Sequence, residues 1–110
     1  MEKLSKELIG ASANLIILAV FAKGNNYGYD ILNTVKKLSD GKTQWSNGSI
    51  YPVLKKMEAQ GFIKSYWRME EKQRPRKYYN LTETGMAELQ NKKDDWVMVN
   101  DMLTKLWEQQ

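Results

Sequence analysis

Apolar residues in the first 22 positions recur at helical spacing on two sides of the same segment. One side carries residues separated by three or four positions: Leu4, Leu8, Ala11, Leu15, Leu18 and Ala22. The other side carries Ile9, Ala13, Ile16, Ile17, Val20 and Phe21. These spacings predict a helix over residues 5–22. A helix that is apolar on two sides must be covered from two directions, so we expect it to pack on its own domain and on a second surface.

A shorter helix is predicted next. Ile31, Val35 and Leu38 repeat at helical spacing, and the sequence Ser-Asp-Gly at 39–41 is typical of a helix end. We expect a short extended stretch over residues 43–45.

A third helix is predicted to begin within residues 46–49, Ser-Asn-Gly-Ser, a cluster of good N-cap residues. Its apolar positions are Ile50, Leu54 and Met57. Pro52 restricts where this helix can start, because proline lacks a backbone N–H and is tolerated best in the first turn. We therefore place the helix start close to Ser49.

Two strands are predicted after the third helix. Residues 62–68 alternate between two faces, and residues 76–81 are rich in tyrosine. The charged segment between them, residues 69–75, is too long and too polar for a tight turn. The sequence therefore predicts an antiparallel hairpin whose tip projects from the domain.

The last predicted helix runs from an N-cap at Thr82 to about residue 107. Apolar residues follow a heptad pattern along it, with Lys92 as the polar exception: Leu89, Trp96, Val99, Leu103 and Leu106. An apolar seam on a terminal helix of so small a chain favours packing against a second copy of the chain. These five residues are the predicted dimerisation contacts.

The order of these elements predicts a mostly α (α+β) fold. Helices two and three with the hairpin can form a winged helix-turn-helix over residues 1–81, and residues 82–110 form a C-terminal dimerisation helix. The 110 residues suit one compact domain or one part of an obligate oligomer.

The positive charge is concentrated in the hairpin. The chain has 17 basic and 13 acidic residues, a net charge of +4. Residues 64–77 contain six basic and two acidic residues, so they carry a net +4 by themselves, whereas residues 78–110 carry a net −3. This polarity favours binding of a polyanion, above all nucleic acid, and a different role for the C-terminal helix.

Several classes of function are excluded by composition. The chain has no Cys and no His, which excludes disulfides, zinc fingers, thiol switches and a Ser-His-Asp relay. No spacing typical of paired catalytic carboxylates or of a phosphate loop occurs. We therefore expect no enzyme activity, no cofactor and no metal. The apolar run at 15–21 is too short to cross a bilayer, and without an export signal we expect a cytoplasmic protein with no membrane partner.

The predicted fold assigns candidate DNA-binding residues. In a winged helix-turn-helix the third helix enters the major groove with its first turn facing base edges, and the wing contacts phosphate. We therefore expect double-stranded operator DNA as a partner. The candidate contacts are Asn47, Ser49 and Tyr51 at the helix start, Lys55 and Lys56 one turn on, and Arg74, Arg76 and Lys77 in the wing.

Each of these residues also has a purely structural interpretation. A charged hairpin is often only solvated, and Tyr51 can pack on the wing instead of facing phosphate. Of Asn47 and Ser49, we expect one to cap the helix and the other to be free to read bases. The remaining tyrosines are expected to pack in the core or the hairpin: Tyr27, Tyr29, Tyr66, Tyr78 and Tyr79.

Five strings stand out when they are taken together: YGYDI at 27–31, GSIYPVLKKME at 48–58, GFI at 61–63, SYW at 65–67 and RKYYNLTETG at 76–85. In this combination they resemble the PadR family of bacterial transcriptional regulators. The resemblance implies a homodimeric winged-helix repressor whose C-terminal helix packs on the first helix of the partner.

The short length and the lone C-terminal helix are similar to the subfamily that includes the lactococcal multidrug-efflux repressor, in which paired tryptophans of the dimer sandwich planar drugs. The resemblance implies a planar aromatic effector between two Trp96 side chains, although a place in the dimer core would by itself explain Trp96. The other residues expected to line this slot are Leu8, Ala11, Asn14, Leu15, Leu18, Val99 and Asn100. Relatives that take cationic drugs favour aromatic or acidic groups where this chain has Lys93 and Asn100, so no preference for cations is implied.

A function of another class stays open at this point. A winged-helix module that binds protein or RNA, and that senses no small molecule, would also fit the basic hairpin. Such a module would not need a symmetric apolar slot.

Overall fold

The computed structural model of the chain describes residues 6–24, 27–41, 45–69 and 74–108. Over these ranges the fold is mostly helical with a small antiparallel sheet, as predicted. The elements are α1 (Lys6–Ala22), α2 (Gly28–Leu38), α3 (Asn47–Ala59), β1 (Ile63–Met69), β2 (Pro75–Leu81) and α4 (Glu83–Glu108). Of the extended stretch predicted at 43–45, only Trp45 lies within the described residues.

The core lies where the first three helices meet the base of the hairpin. Its fully buried side chains come from α1, α2, α3 and β1: Ile17, Leu18, Ile31, Leu54, Met57 and Ile63. Each such side chain contributes about 1.5–3 kcal/mol through removal of apolar surface from water. The apolar spacing of α2 marked Ile31, Val35 and Leu38 alike. Ile31 and Val35 are buried, but Leu38 is the last helical residue and is 79% exposed.

The recognition helix of the predicted helix-turn-helix, α3, begins earlier than the proline argument suggested. Its first residue is Asn47, so Pro52 is the sixth helical residue and not part of the first turn. Because proline has no N–H, the carbonyl of Gly48 has no intrahelical donor four residues on. The helix start thus lies within residues 46–49, as predicted, but about half a turn before Ser49, where the proline argument placed it.

The hairpin has the predicted antiparallel arrangement. Its register pairs Ile63 with Leu81 at the base and Met69 with Pro75 at the far end. An isolated bridge between Tyr27 and Tyr78 joins β2 to the residue just before α2. The middle of β2 is thus attached to the helix-turn-helix, while most of the hairpin tip, residues 70–73, lies outside the described residues.

Thr82 connects the end of α3, the hairpin and α4. Its hydroxyl donates to the carbonyl oxygen of Gly61 (2.6 Å) and accepts from the N–H of Gly85 (3.0 Å). Its own N–H donates to the carbonyl oxygen of Phe62 (3.0 Å). The predicted N-cap at Thr82 is confirmed, and the same residue also closes the turn between α3 and β1.

A close approach of backbones follows one turn into α4. Gly85 is buried against Phe62, and a Cβ at Gly85 would overlap the Phe62 carbonyl oxygen and lie 2.7 Å from Cδ1 of Leu81. Only a residue without a side chain lets α4 start so near the hairpin.

We expect Gly85→Ala to lower the free energy of unfolding by about 1–3 kcal/mol, because the methyl group meets backbone that cannot move aside. Gly10→Ala is the matched control. Gly10 is an exposed residue of α1 with nothing near its missing Cβ, so alanine there should stabilise by about 0.5–1 kcal/mol. Urea unfolding followed by circular dichroism at fixed protein concentration measures both, and equal stability of Gly85→Ala and the wild type would contradict the packing described.

Candidate nucleic-acid interface

The first turn of α3 is held by a reciprocal pair of serines. Ser46 is the N-cap: its Oγ accepts from the N–H of Ser49 (3.2 Å), and Ser49 Oγ accepts from the N–H of Ser46 (3.2 Å). This arrangement is a capping box. The N-cap residue is Ser46 and neither Asn47 nor Ser49, but Ser49 takes part in the capping through its bond to the Ser46 N–H.

The capping box affects what Ser49 can contact. Its hydroxyl also donates to the carbonyl oxygen of Ser46 (3.0 Å), so both hydrogen-bonding roles of this exposed side chain are used locally. Asn47 is the first residue of α3, and its side chain lies outside the described part of the structure.

The middle of α3 presents a polar, exposed surface. Tyr51, Lys55 and Lys56 are all exposed. Tyr51 and Lys55 are four residues apart, so they occupy the same helix face. Buried Leu54 and Met57 hold a different side of this helix in the core, which leaves this face outward.

The wing brings its cations to the same side of the molecule as Tyr51. An open cleft of about 630 Å³ lies between α3 and the hairpin. Its walls are formed by Tyr27, Tyr51, Trp67, Arg74, Pro75, Arg76 and Lys77. The structure thus gathers four of the predicted DNA contacts, Tyr51 and the three wing cations, around one concave surface. Trp67 and Tyr27 are additional lining residues that the sequence analysis did not select, although the alternation of residues 62–68 placed Trp67 on the hairpin.

A ladder of aromatic rings supports this cleft. The ring centroid of Tyr78 is 5.5 Å from that of Tyr27 and 5.7 Å from that of Tyr66. The guanidinium carbon of Arg76 lies 5.1 Å from the Tyr27 centroid, and that of Arg68 lies 5.6 Å from the Tyr78 centroid. Exposed contacts of this cation–π type contribute about 0.5–1 kcal/mol each. The arginines are therefore held on ring faces before any ligand arrives, and these three tyrosines pack in the hairpin as expected.

A second set of side-chain contacts, centred on Glu58, links the wing to the C-terminal end of α3. Glu58 accepts a hydrogen bond from the Ser65 hydroxyl at Oε2, and its Oε1 lies 3.9 Å from Nζ of Lys77. The same Nζ is 5.7 Å from the ring centroid of Tyr79. Burial raises the pKa of Tyr79 to about 12, with smaller contributions from the charges of Tyr51 and Glu58. Sequence reasoning missed Glu58, since its partners lie 7 and 19 positions away and meet it only through the hairpin register.

The predicted dimerisation residues divide into two groups. Leu89 packs on the core of its own chain. The others lie further along α4 and are exposed in the single chain: Trp96 by 37%, Val99 by 48%, Leu103 by 38% and Leu106 by 61%. Met98, Met102 and Trp107 are exposed on the same half of the helix. An apolar surface of this extent marks an interaction site.

The residues predicted to line an effector slot are spread over α1 and α4. On α1, Ala11 is exposed and Asn14 and Leu15 are half-buried, whereas Leu18 is fully buried in the core. Leu8 belongs to α1, but its side chain lies outside the described residues. On α4, Trp96, Val99 and Asn100 are exposed. In the single chain, Leu18 therefore offers no surface to a ligand.

Within the described ranges no cluster of three or more acidic, His or Cys residues could hold a metal ion. None of the helices described is both long enough and apolar enough to cross a membrane.

The sequence of the chain is similar to a family of transcriptional regulators. The model of the transcriptional regulator PadR-like family matches residues 17–91. The chain is similar to the negative transcriptional regulator PadR of Bacillus subtilis, with 33% identity over 82 residues, 74% of this chain and 43% of that protein. It is 25% identical over 97 residues to an uncharacterised protein of Lysinibacillus sphaericus, which covers 88% of this chain and 89% of that one. The chain thus spans less than half of the Bacillus subtilis relative and most of the other.

Solved structures share the fold over nearly the whole chain. A transcriptional regulator from Clostridium thermocellum superposes with a TM-score of 0.80 at 27% identity, over 91% of this chain and 97% of that one. A PadR-like transcriptional regulator from Bacillus cereus gives a TM-score of 0.80 at 28% identity, over 92% and 96%.

Proposed function

Because this chain belongs to the PadR-like family of transcriptional regulators, and is therefore a DNA-binding regulator and not an enzyme, we propose that it is a homodimeric repressor relieved by a planar aromatic effector. The similarity to a negative regulator from Bacillus subtilis supports the repressor role. A dimer of this kind would bind a pseudo-palindromic operator with its two recognition helices about one DNA turn apart.

The observation that carries the DNA-binding surface is the cleft shared by α3 and the wing. Tyr51 and Lys55 lie on the exposed face of α3, and Arg74 and Arg76 line the facing wall. We assign α3 to the major groove, with Asn47, Ser49, Tyr51, Lys55 and Lys56 nearest the DNA. Arg74 and Arg76 then contact phosphate, which fixes the register of the helix in the groove. Lys77 lies on the same cleft but is paired with Glu58.

Replacing both Arg74 and Arg76 by Gln should weaken binding uniformly across DNA sequences, because phosphate contacts carry no sequence information. The slope of log affinity against log salt should become shallower by about 0.9 for each phosphate that is no longer neutralised. Gel-shift titrations at several salt concentrations measure this slope. The duplexes should tile the DNA upstream of the gene that encodes this chain.

Lys105→Gln is the control, since it also removes a positive charge but far from the wing. Lys105 lies on α4, and its Nζ is 3.0 Å from Oδ2 of Asp101. Its salt slope should equal that of the wild type. A double arginine variant with an unchanged slope would refute the assignment of the wing to phosphate.

The exposed half of α4 supports the dimer. Trp96, Val99, Leu103 and Leu106 follow one another at three or four positions, so they form one apolar stripe. Burying such a stripe against α1 of a second copy would also account for the outer apolar side of α1. A twofold axis would then bring the two copies of α4 close together.

Leu103→Glu should dissociate this dimer, because a carboxylate cannot be buried in an apolar seam without a partner. Analytical ultracentrifugation should then show a monomer, and operator affinity should fall by tenfold or more. Met98→Glu adds the same charge at an exposed apolar position off the stripe and should stay dimeric. A wild-type protein that sediments as a monomer would contradict the proposal.

The final part of the proposal is an effector slot between the two Trp96 side chains of the dimer; the exposure of Trp96 in the single chain supports it. Two facing indoles would leave a flat apolar space suited to a planar aromatic molecule, with Ala11, Asn14, Leu15, Val99 and Asn100 around it. A molecule bound there would change the separation of the two winged helices and lower operator affinity.

Acridine and its N-methyl cation test this slot as a matched pair. We expect acridine to quench the tryptophan fluorescence of the wild type, and Trp96→Ala to abolish the saturable part of this quenching. Trp107→Ala, an exposed residue on the same helix, should keep it. With Lys93 and Asn100 close to Trp96 in sequence, the cation should bind no better than the neutral compound. Absence of quenching by either compound would favour the rival function, a winged-helix module that binds protein or RNA without an effector.

A further inference from the structure

Glu58 occupies an unusual position for an acidic residue in a DNA-binding domain. It lies one residue before the end of α3 and next to the wing, where a negative charge opposes the approach of phosphate. Its two carboxylate oxygens have different partners, the Ser65 hydroxyl on β1 and the Lys77 ammonium on β2. One side chain of the recognition helix therefore holds both strands of the wing.

The contacts of Lys77 show that its positive charge already has partners within the chain. Its ammonium has Glu58 on one side and the Tyr79 ring on the other. Arg76, its neighbour on β2, lies over the ring of Tyr27, and Arg74 is exposed. These three basic residues thus have different surroundings, and Lys77 faces the carboxylate of Glu58.

We propose that Glu58 is a positioning residue for DNA binding, which sets the angle between wing and recognition helix and keeps the Lys77 ammonium away from phosphate. The phosphate contacts of the wing then come from Arg74 and Arg76. Glu58 lowers non-specific attraction to DNA and orders the wing for the operator, so it acts on specificity more than on affinity.

The salt dependence of binding to a scrambled duplex separates Lys77 from Arg74. Lys77→Gln should leave the slope of log affinity against log salt unchanged, whereas Arg74→Gln should make it shallower by about 0.9 for the phosphate that it no longer neutralises. Glu58→Gln keeps the size of the side chain but releases Lys77, so it should steepen the slope by about the same amount. The double variant Glu58→Gln/Lys77→Gln should return to the wild-type slope, which a merely structural role of Glu58 would not produce.

A shallower slope for Lys77→Gln alone, equal to that of Arg74→Gln, would overturn the proposal. So would a Glu58→Gln variant with the wild-type slope. We also expect Glu58→Gln to reduce the ratio of operator to scrambled-duplex affinity by about 3- to 10-fold, the effect of replacing a charged hydrogen bond from Ser65 by a neutral one.

Amide hydrogen exchange without DNA tests the positioning role independently of any operator or effector. Exchange of the strand amides around the Ser65–Tyr79 pair should be faster in Glu58→Gln and in Ser65→Ala than in the wild type, while the amides of α4 should be unchanged. Equal protection of the strands in all three proteins would refute the positioning role, even if the repressor function holds. Conversely, failure of the repressor proposal leaves this measurement interpretable.

Discussion

The junction at Thr82 is the constraint on which the relation between the two functional surfaces depends. Its hydroxyl and N–H together hold the carbonyl groups of Gly61 and Phe62 and cap α4. Gly85 then brings the backbone of α4 directly onto Phe62. Because this contact is between backbone atoms, it fixes where α4 starts relative to the turn that follows α3.

The wing obtains its order from a different source than the helices. A two-stranded hairpin alone is marginally stable in water, and most side chains of β1 are exposed. Ring contacts of Tyr78 with Tyr27 and Tyr66, and the bridge to the residue before α2, supply the missing support. The cations of the wing are attached to this framework, so less conformational entropy is lost when they meet phosphate.

The spacing of apolar residues was sufficient to predict the helices and strands. Contacts between residues far apart in the sequence could not be predicted from it. Alternation and helical spacing placed the helices, the hairpin and the cap at Thr82. The start of α3 was misplaced because Pro52 was given more weight than the Ser46–Ser49 pair, and tertiary packing tolerates the proline. The heptad correctly marked Leu89 as a packing position. Spacing cannot tell whether such a residue contacts the core of its own chain or a partner. The link between Glu58 and Lys77 depends on the hairpin register, which no local pattern contains.

Pro52 interrupts the backbone hydrogen bonding inside the recognition helix α3. Ahead of it stands a single turn, fastened by two serine hydroxyls at one end and lacking the hydrogen bond from residue 52 to Gly48 at the other. Behind it, Leu54 and Met57 are fixed in the core. A small rotation of this first turn therefore disturbs one hydrogen bond fewer than in a helix without proline. If the turn enters the major groove as proposed, this freedom lets it follow local variations in groove width.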